Sequence, residues 1–99
     1  MNKVVFNNAY GGFGLSSEAT NWLKKRGLDV GAFWREGDVP RHHPLLIECV
    51  ETFGSYANDE FSRLEIAEIE GDRYWILEYD GAEMVYTPET IPWVTIKGK

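Results

Sequence analysis

Cysteine is all but missing from this chain. Cys49 is the only one in 99 residues, so no internal disulfide can form and a reducing compartment is the expected setting. Its place on an apolar stripe predicts a buried, inert thiol. Long hydrophobic runs are missing too. No stretch approaches the roughly 20 apolar residues that span a bilayer, and MNKVVFNNAY at the amino terminus lacks the apolar core of a secretion signal, so the cytosol is the expected location. Positive charge is scarce: ten lysines and arginines stand against sixteen acids, a formal charge of −6. A chain so acidic is a poor general ligand for nucleic acid, whose phosphates are contacted mainly by lysine and arginine. Repeats, linkers and low-complexity segments are also absent, which leaves residues 1–99 as one compact domain.

What is present suits a packed interior, with 43% hydrophobic and 14% aromatic residues. Lys3 to Asn7, KVVFN, is β-branched and aromatic and reads as a strand. Ser16 or Ser17 then caps a helix with Glu18 in its first turn and Ala19, Trp22 and Leu23 on one face, closed by KKR and Gly27. From Leu28 to Arg41 glycine and proline interrupt any period, which predicts a loop with at most one short strand. A second helix begins with Pro44 at its first position, and Leu46, Cys49, Val50 and Phe53 recur at i, i+3, i+4 and i+7 as its buried stripe. Gly54 ends it. SRLEIAEIE, RYWILEYD and AEMVYT, separated by the hairpin signatures GD and DG, read as a three-stranded antiparallel meander, with WVTI after Pro92 as a short edge strand. The expected architecture is α+β: two helices packed on a mostly antiparallel sheet, built from the amino-terminal strand and the carboxy-terminal β-meander.

Two regions invite a functional reading. The loop of Tyr10, Gly11, Gly12, Phe13 and Gly14 lies between strand and helix, where backbone N–H groups and the helix dipole can receive an anion. It lacks both the third glycine of a dinucleotide fingerprint and the lysine of a Walker loop, so the competing reading is a packed turn with Tyr10 and Phe13 across it. Arg41 and His42, with His43, could complete a polar site beside that loop, or could simply cap the second helix. No cysteine pair or spaced histidine stands near them, so no metal site is expected. No catalytic set can be assembled either, because no serine occupies a nucleophile elbow and Cys49 belongs to a core stripe.

The second region is acidic. From Asp59 to Glu83 nine carboxylates face only Arg63 and Arg73. Strand alternation could gather Glu65, Glu68, Glu78, Asp80 and Glu83 on one sheet face, either as ordinary solvated surface or as a docking face for a basic partner.

Four stretches, VVFNNAYGGFGLS, PRHHP, ETFGSYAN and LEYDGAE, together resemble a family of small, mostly uncharacterised tailed-phage proteins, in the family's order and over most of the chain. Tyr10, Gly11, Gly12, Phe13, Gly14, Arg41, Pro44, Asn58, Tyr79, Asp80 and Gly81 fit its pattern. Two places depart from it: Asn7-Asn8-Ala9 stands where the family commonly has Asn-Lys-Cys, and His43 where an acid is frequent. The resemblance implies a phage origin and action in the cytoplasm of the infected bacterial host, and it implies no activity.

Composition, charge and resemblance together lead to the expectation of a small acidic accessory protein, not an enzyme and without cofactor, that binds and inhibits or redirects a host protein, such as one of an antiviral defence system. The alternative is a nucleotide or phosphorylated-ligand binder that sequesters a signal through the glycine-rich loop and Arg41. Direct nucleic-acid or membrane binding is not expected, and self-association is left open.

Overall fold

The computed structural model describes residues 1–30, 39–91, 94 and 96. The chain order is strand β1 (Asn2–Asn7), helix α1 (Ser17–Lys25), helix α2 (Pro44–Phe53), a 3-10 turn (Gly54–Ala57), then strands β2 (Leu64–Ile69), β3 (Trp75–Tyr79) and β4 (Ala82–Tyr86). The protein is α+β. Of the edge strand expected at residues 93–96, Val94 and Ile96 are described and belong to no strand, and the rest lies outside the described residues, as does most of the loop expected before Arg41.

Both helices form where capping chemistry and periodicity place them. Ser16 is the N-cap of α1; its side chain accepts from the Ala19 N–H while Lys24 and Lys25 sit in the last turn, opposite the dipole. His43 caps α2, its Nδ1 accepting from the Leu45 N–H at 3.1 Å, with Pro44 behind it. Ala19 and Leu23 of α1 meet Leu46, Cys49 and Val50 of α2 in a core that Val5 and Leu64 complete from the sheet below. Leu23 and Leu46 are fully buried, each a stabilisation of about 1.5–3 kcal/mol by transfer from water. Phe53 departs from expectation. It is only half-buried, because it stands at the helix end and meets Trp22 edge-on with ring centroids 6.2 Å apart.

The strands do not form one meander. β1 pairs antiparallel with β2, Val5 opposite Ile66, while β3 and β4 make a separate hairpin. The DG signature at Asp80-Gly81 is a hairpin turn; the GD at Gly71-Asp72 is not, since β2 and β3 are not paired. The hairpin instead turns toward the other edge of β1, where a ladder cannot form. There the Val5 N–H is taken by the Arg41 carbonyl at 2.9 Å, and the Asn7 N–H by the Glu83 carboxylate at 2.8 Å. Side chains, not a strand ladder, join the two sheets.

Candidate functional site

Arg41 follows Pro40 just before α2 and runs its guanidinium between the two sheets. Nη1 and Nη2 donate to the two carboxylate oxygens of Glu83 at 2.6 and 2.8 Å, a bidentate pair in which Glu83 is buried. The guanidinium carbon lies 3.9 Å from the centroid of the Phe13 ring, so the same cation also clamps the glycine-rich loop. Asn7, fully buried, fastens the rest: its Nδ2 donates to the carbonyls of Ala9 and Gly81, and its Oδ1 accepts from the Arg63 N–H, each at 2.8 Å. One charge pair and one amide therefore tie together β1, the glycine loop, the start of β2 and the β3–β4 turn.

The glycine loop is filled by the chain itself. The Gly11 N–H donates to the Asp80 carbonyl at 3.3 Å, and the Asp80-Gly81 turn rests directly on Gly11 and Gly12. A Cβ at Gly81 would overlap the Gly12 nitrogen and lie 2.6 Å from that of Gly11, and its φ of 90° is itself left-handed. Gly14 is packed as tightly, because a Cβ there would overlap the Asp59 carboxylate, which is pinned by the N–H groups of Phe61 and Ser62. At the helix start the Ser16 hydroxyl donates to the Tyr56 carbonyl. The first-region residues are thus brought together, but as a packed junction: Arg41 is paired, and Phe13 lies beneath it. Tyr10 is the exception to the expected packing. It projects into solvent, 69% exposed.

His42 points elsewhere. Its Nδ1 is 2.8 Å from the Tyr74 hydroxyl, and the two rings meet edge-on beside an open groove of about 480 Å³ that Asn2, Lys3, Ile47 and Ile69 also line. Burial pushes the Tyr74 phenol above its ordinary range, against the opposing charge of Arg41. Cys49 is buried with its Sγ directed at the Ala19 carbonyl, and loss of solvation pushes its thiol up to about 11, which disfavours the thiolate. Among the described residues no group of three or more histidines, cysteines or carboxylates is placed to hold a metal, and no helix is long and apolar enough to cross a membrane.

The five carboxylates assigned to one face are dispersed. Glu65 and Glu68 are three apart on β2 and so point to opposite sides; Glu65 accepts from Asn8, and Glu68 stands opposite Lys3. Glu83 is inside, on Arg41. Glu78 and Asp80 remain outward at the hairpin turn, where Glu78 accepts from the Gly81 N–H. Their neighbours across the glycine loop were not singled out by the sequence. Phe61 packs its Cβ side against Gly11 and is 66% exposed, next to exposed Asp59 and Glu60. One end of the molecule thus carries Tyr10, Phe61, Asp59, Glu60, Glu78 and Asp80 on three adjoining loops. Segments remote in sequence meet there: the Gly11 N–H donates to the Asp80 carbonyl, the Ser62 hydroxyl donates to the Gly14 carbonyl, and Leu15 bridges to Asn58. Asn7, Phe61 and Tyr74 are the residues that sequence reasoning missed; only the position of Asn7, at the end of a strand and before a turn, offered any signal.

Compared with protein-family models, curated proteins and solved structures, the chain matches none.

Proposed function

We propose that the protein is a small acidic accessory protein of phage origin that acts without catalysis, in the cytoplasm of the infected bacterium, by binding a host protein and inhibiting or redirecting it. The observation that carries this reading is the loop end just described, where two exposed aromatic rings stand among four exposed carboxylates. Aromatic faces and carboxylates recognise lysine and arginine side chains, through cation–π contact and ion pairing, and aromatic residues dominate the energetics of protein contacts. The partner is therefore a host protein with a basic surface, and a component of an antiviral defence is the kind of target this reading favours. Sequestration of a nucleotide is the weaker reading, because the cation it relies on, Arg41, is already held by Glu83 inside the fold.

Affinity capture from infected cells, followed by mass spectrometry, tests the proposal. A host protein retained by the native chain, and released both by raised salt and by Phe61→Ala with Glu60→Lys, is the expected outcome. Retention indifferent to salt and to those substitutions removes the loop end from the reading. A rise in melting temperature with nucleoside phosphates, lost in Arg41→Ala, would replace it with the nucleotide alternative.

A further inference from the structure

Alternate residues of β3 and β4 point to one side of the hairpin, and that side is aromatic and aliphatic, with no charged residue from either strand. The register sets Trp75 opposite Tyr86, Leu77 opposite Met84 and Tyr79 opposite Ala82. Trp75 and Met84 are each 55% exposed, Leu77 43% and Tyr79 77%. No carboxylate, lysine or arginine belongs to this side; Glu78 stands opposite Glu83 on the other, where Glu83 enters the interior to meet Arg41. With 150–250 Å² of surface on each aromatic side chain, the face leaves roughly 500 Å² of apolar surface in water, at the upper end of what soluble monomers show.

We infer that this face is the interface of a two-fold dimer, covered by the same hairpin of a second copy of this chain. Three observations favour a second copy over another occupant. The first is area: two such faces together bury about 1,000 Å², the lower bound for a specific interface, so the dimer is weak and its population depends on concentration. The second is charge. A chain of net charge −6 repels its own kind least across a surface free of charge, and the strands carry no charged residue on this face, whereas a basic partner finds no carboxylate on it to pair with. The third is shape. A two-fold axis through the central Leu77–Met84 pair lays the bulky Trp75–Tyr86 end of one copy over the Tyr79–Ala82 end of the other, where the alanine leaves room. The sheets then stack face to face at about 10 Å, as sandwiched sheets do.

The dimer is independent of host binding at the loop end, and the two respond to salt with opposite signs. Screening weakens an acidic surface on a basic partner; it strengthens the apolar association of two like-charged copies. Sedimentation velocity on the full chain, from about 5 to about 500 μM protein and from about 0.05 to about 0.5 M sodium chloride, reads the association directly. The expected result is a monomer–dimer equilibrium that shifts toward dimer with both concentration and salt, and a monomer throughout the range for Leu77→Lys and for Met84→Lys. Both substitutions sit on the outward side, so circular dichroism should stay native; if one fails to fold, the other and the salt series of the native chain decide. Leu77→Cys, next to the axis, should cross-link to its own copy through a bis-maleimide short enough to match the sheet spacing, while Trp75→Cys, away from the axis, should not, and buried Cys49 stays silent in both. A native chain that stays monomeric at every concentration overturns the inference, as does a dimer that persists in both lysine variants or loosens with salt.

Discussion

Arg41 and Glu83 show how much a single pair can decide in a small fold. Their attraction is partly cancelled by desolvation, so the pair is a weak source of net stability, yet removing one member leaves the other charged and enclosed. Arg41→Ala and Glu83→Ala should each cost about 3–5 kcal/mol in urea unfolding, while the volume-conserving double substitution Arg41→Met with Glu83→Leu should cost less than either. A double variant as unstable as the sum of the singles would mean the two side chains act separately. Cys49 gives a pH test. Its thiol titrates near 9.0 when unfolded and at about 11 in the fold, so the folded state holds the proton more tightly. Its stabilising contribution is complete below pH 9 and is lost as the pH rises through 11. Urea midpoints of the native chain should therefore fall more steeply across that window than those of Cys49→Ala, with Lys3 and Tyr74 common to both and cancelling. Parallel pH profiles would contradict the assignment.

Elements here are set by their ends. His43 occupies the N-cap of α2 with a ring nitrogen in the place where an aspartate oxygen is the stronger acceptor. His43→Asp should raise the melting temperature and His43→Ala lower it, by about 1 kcal/mol in the second case. Equal midpoints for all three proteins would show the cap to be inert. At the other end of the chain the β3–β4 turn depends on Gly81 for its contact with Gly11 and Gly12. Gly81→Ala should lift the hairpin from the loop and expose Glu83, with a loss larger than the roughly 1 kcal/mol of a glycine effect in the chain alone. Thermal unfolding and the near-ultraviolet signal of the tyrosines beside the junction would register the change.

Across the whole molecule, stability is unevenly distributed. The helices and the β1–β2 pair share one apolar core, whereas the hairpin is joined to it through Glu83, Asn7 and the Gly11 N–H. A two-stranded hairpin is marginal by itself, so β3 and β4 should open at lower free energy than α2. Hydrogen exchange at protein concentrations that favour the monomer should show amides of β3 and β4 exchanging well before those of β1 and α2. Uniform protection would instead make the molecule one cooperative unit. Raised concentration should slow hairpin exchange selectively if the hairpin is the dimer contact.

Local chemistry was legible in the sequence: strand β1, the cap at Ser16, the start of α2 at Pro44, the stripe of Leu46, Cys49 and Val50, and the hairpin turn at Asp80-Gly81 each follow from residues within a few positions of one another. The α+β class followed with them. What only the tertiary structure decided is which strand lies beside which, and therefore where each charge ends up. Period-two alternation gives two sides to a strand but does not say which side faces inward, so Glu83 read the same as Glu78 until Arg41 was found beside it. The same ambiguity hid the aromatic side of the hairpin, since Trp75, Leu77 and Tyr79 would serve a buried face equally well. The glycine loop turned out to be packed for a similar reason. Glycines allow close approach of any group, and here the group is the chain's own turn, arriving from some 70 residues away through pairing energies that no local window contains.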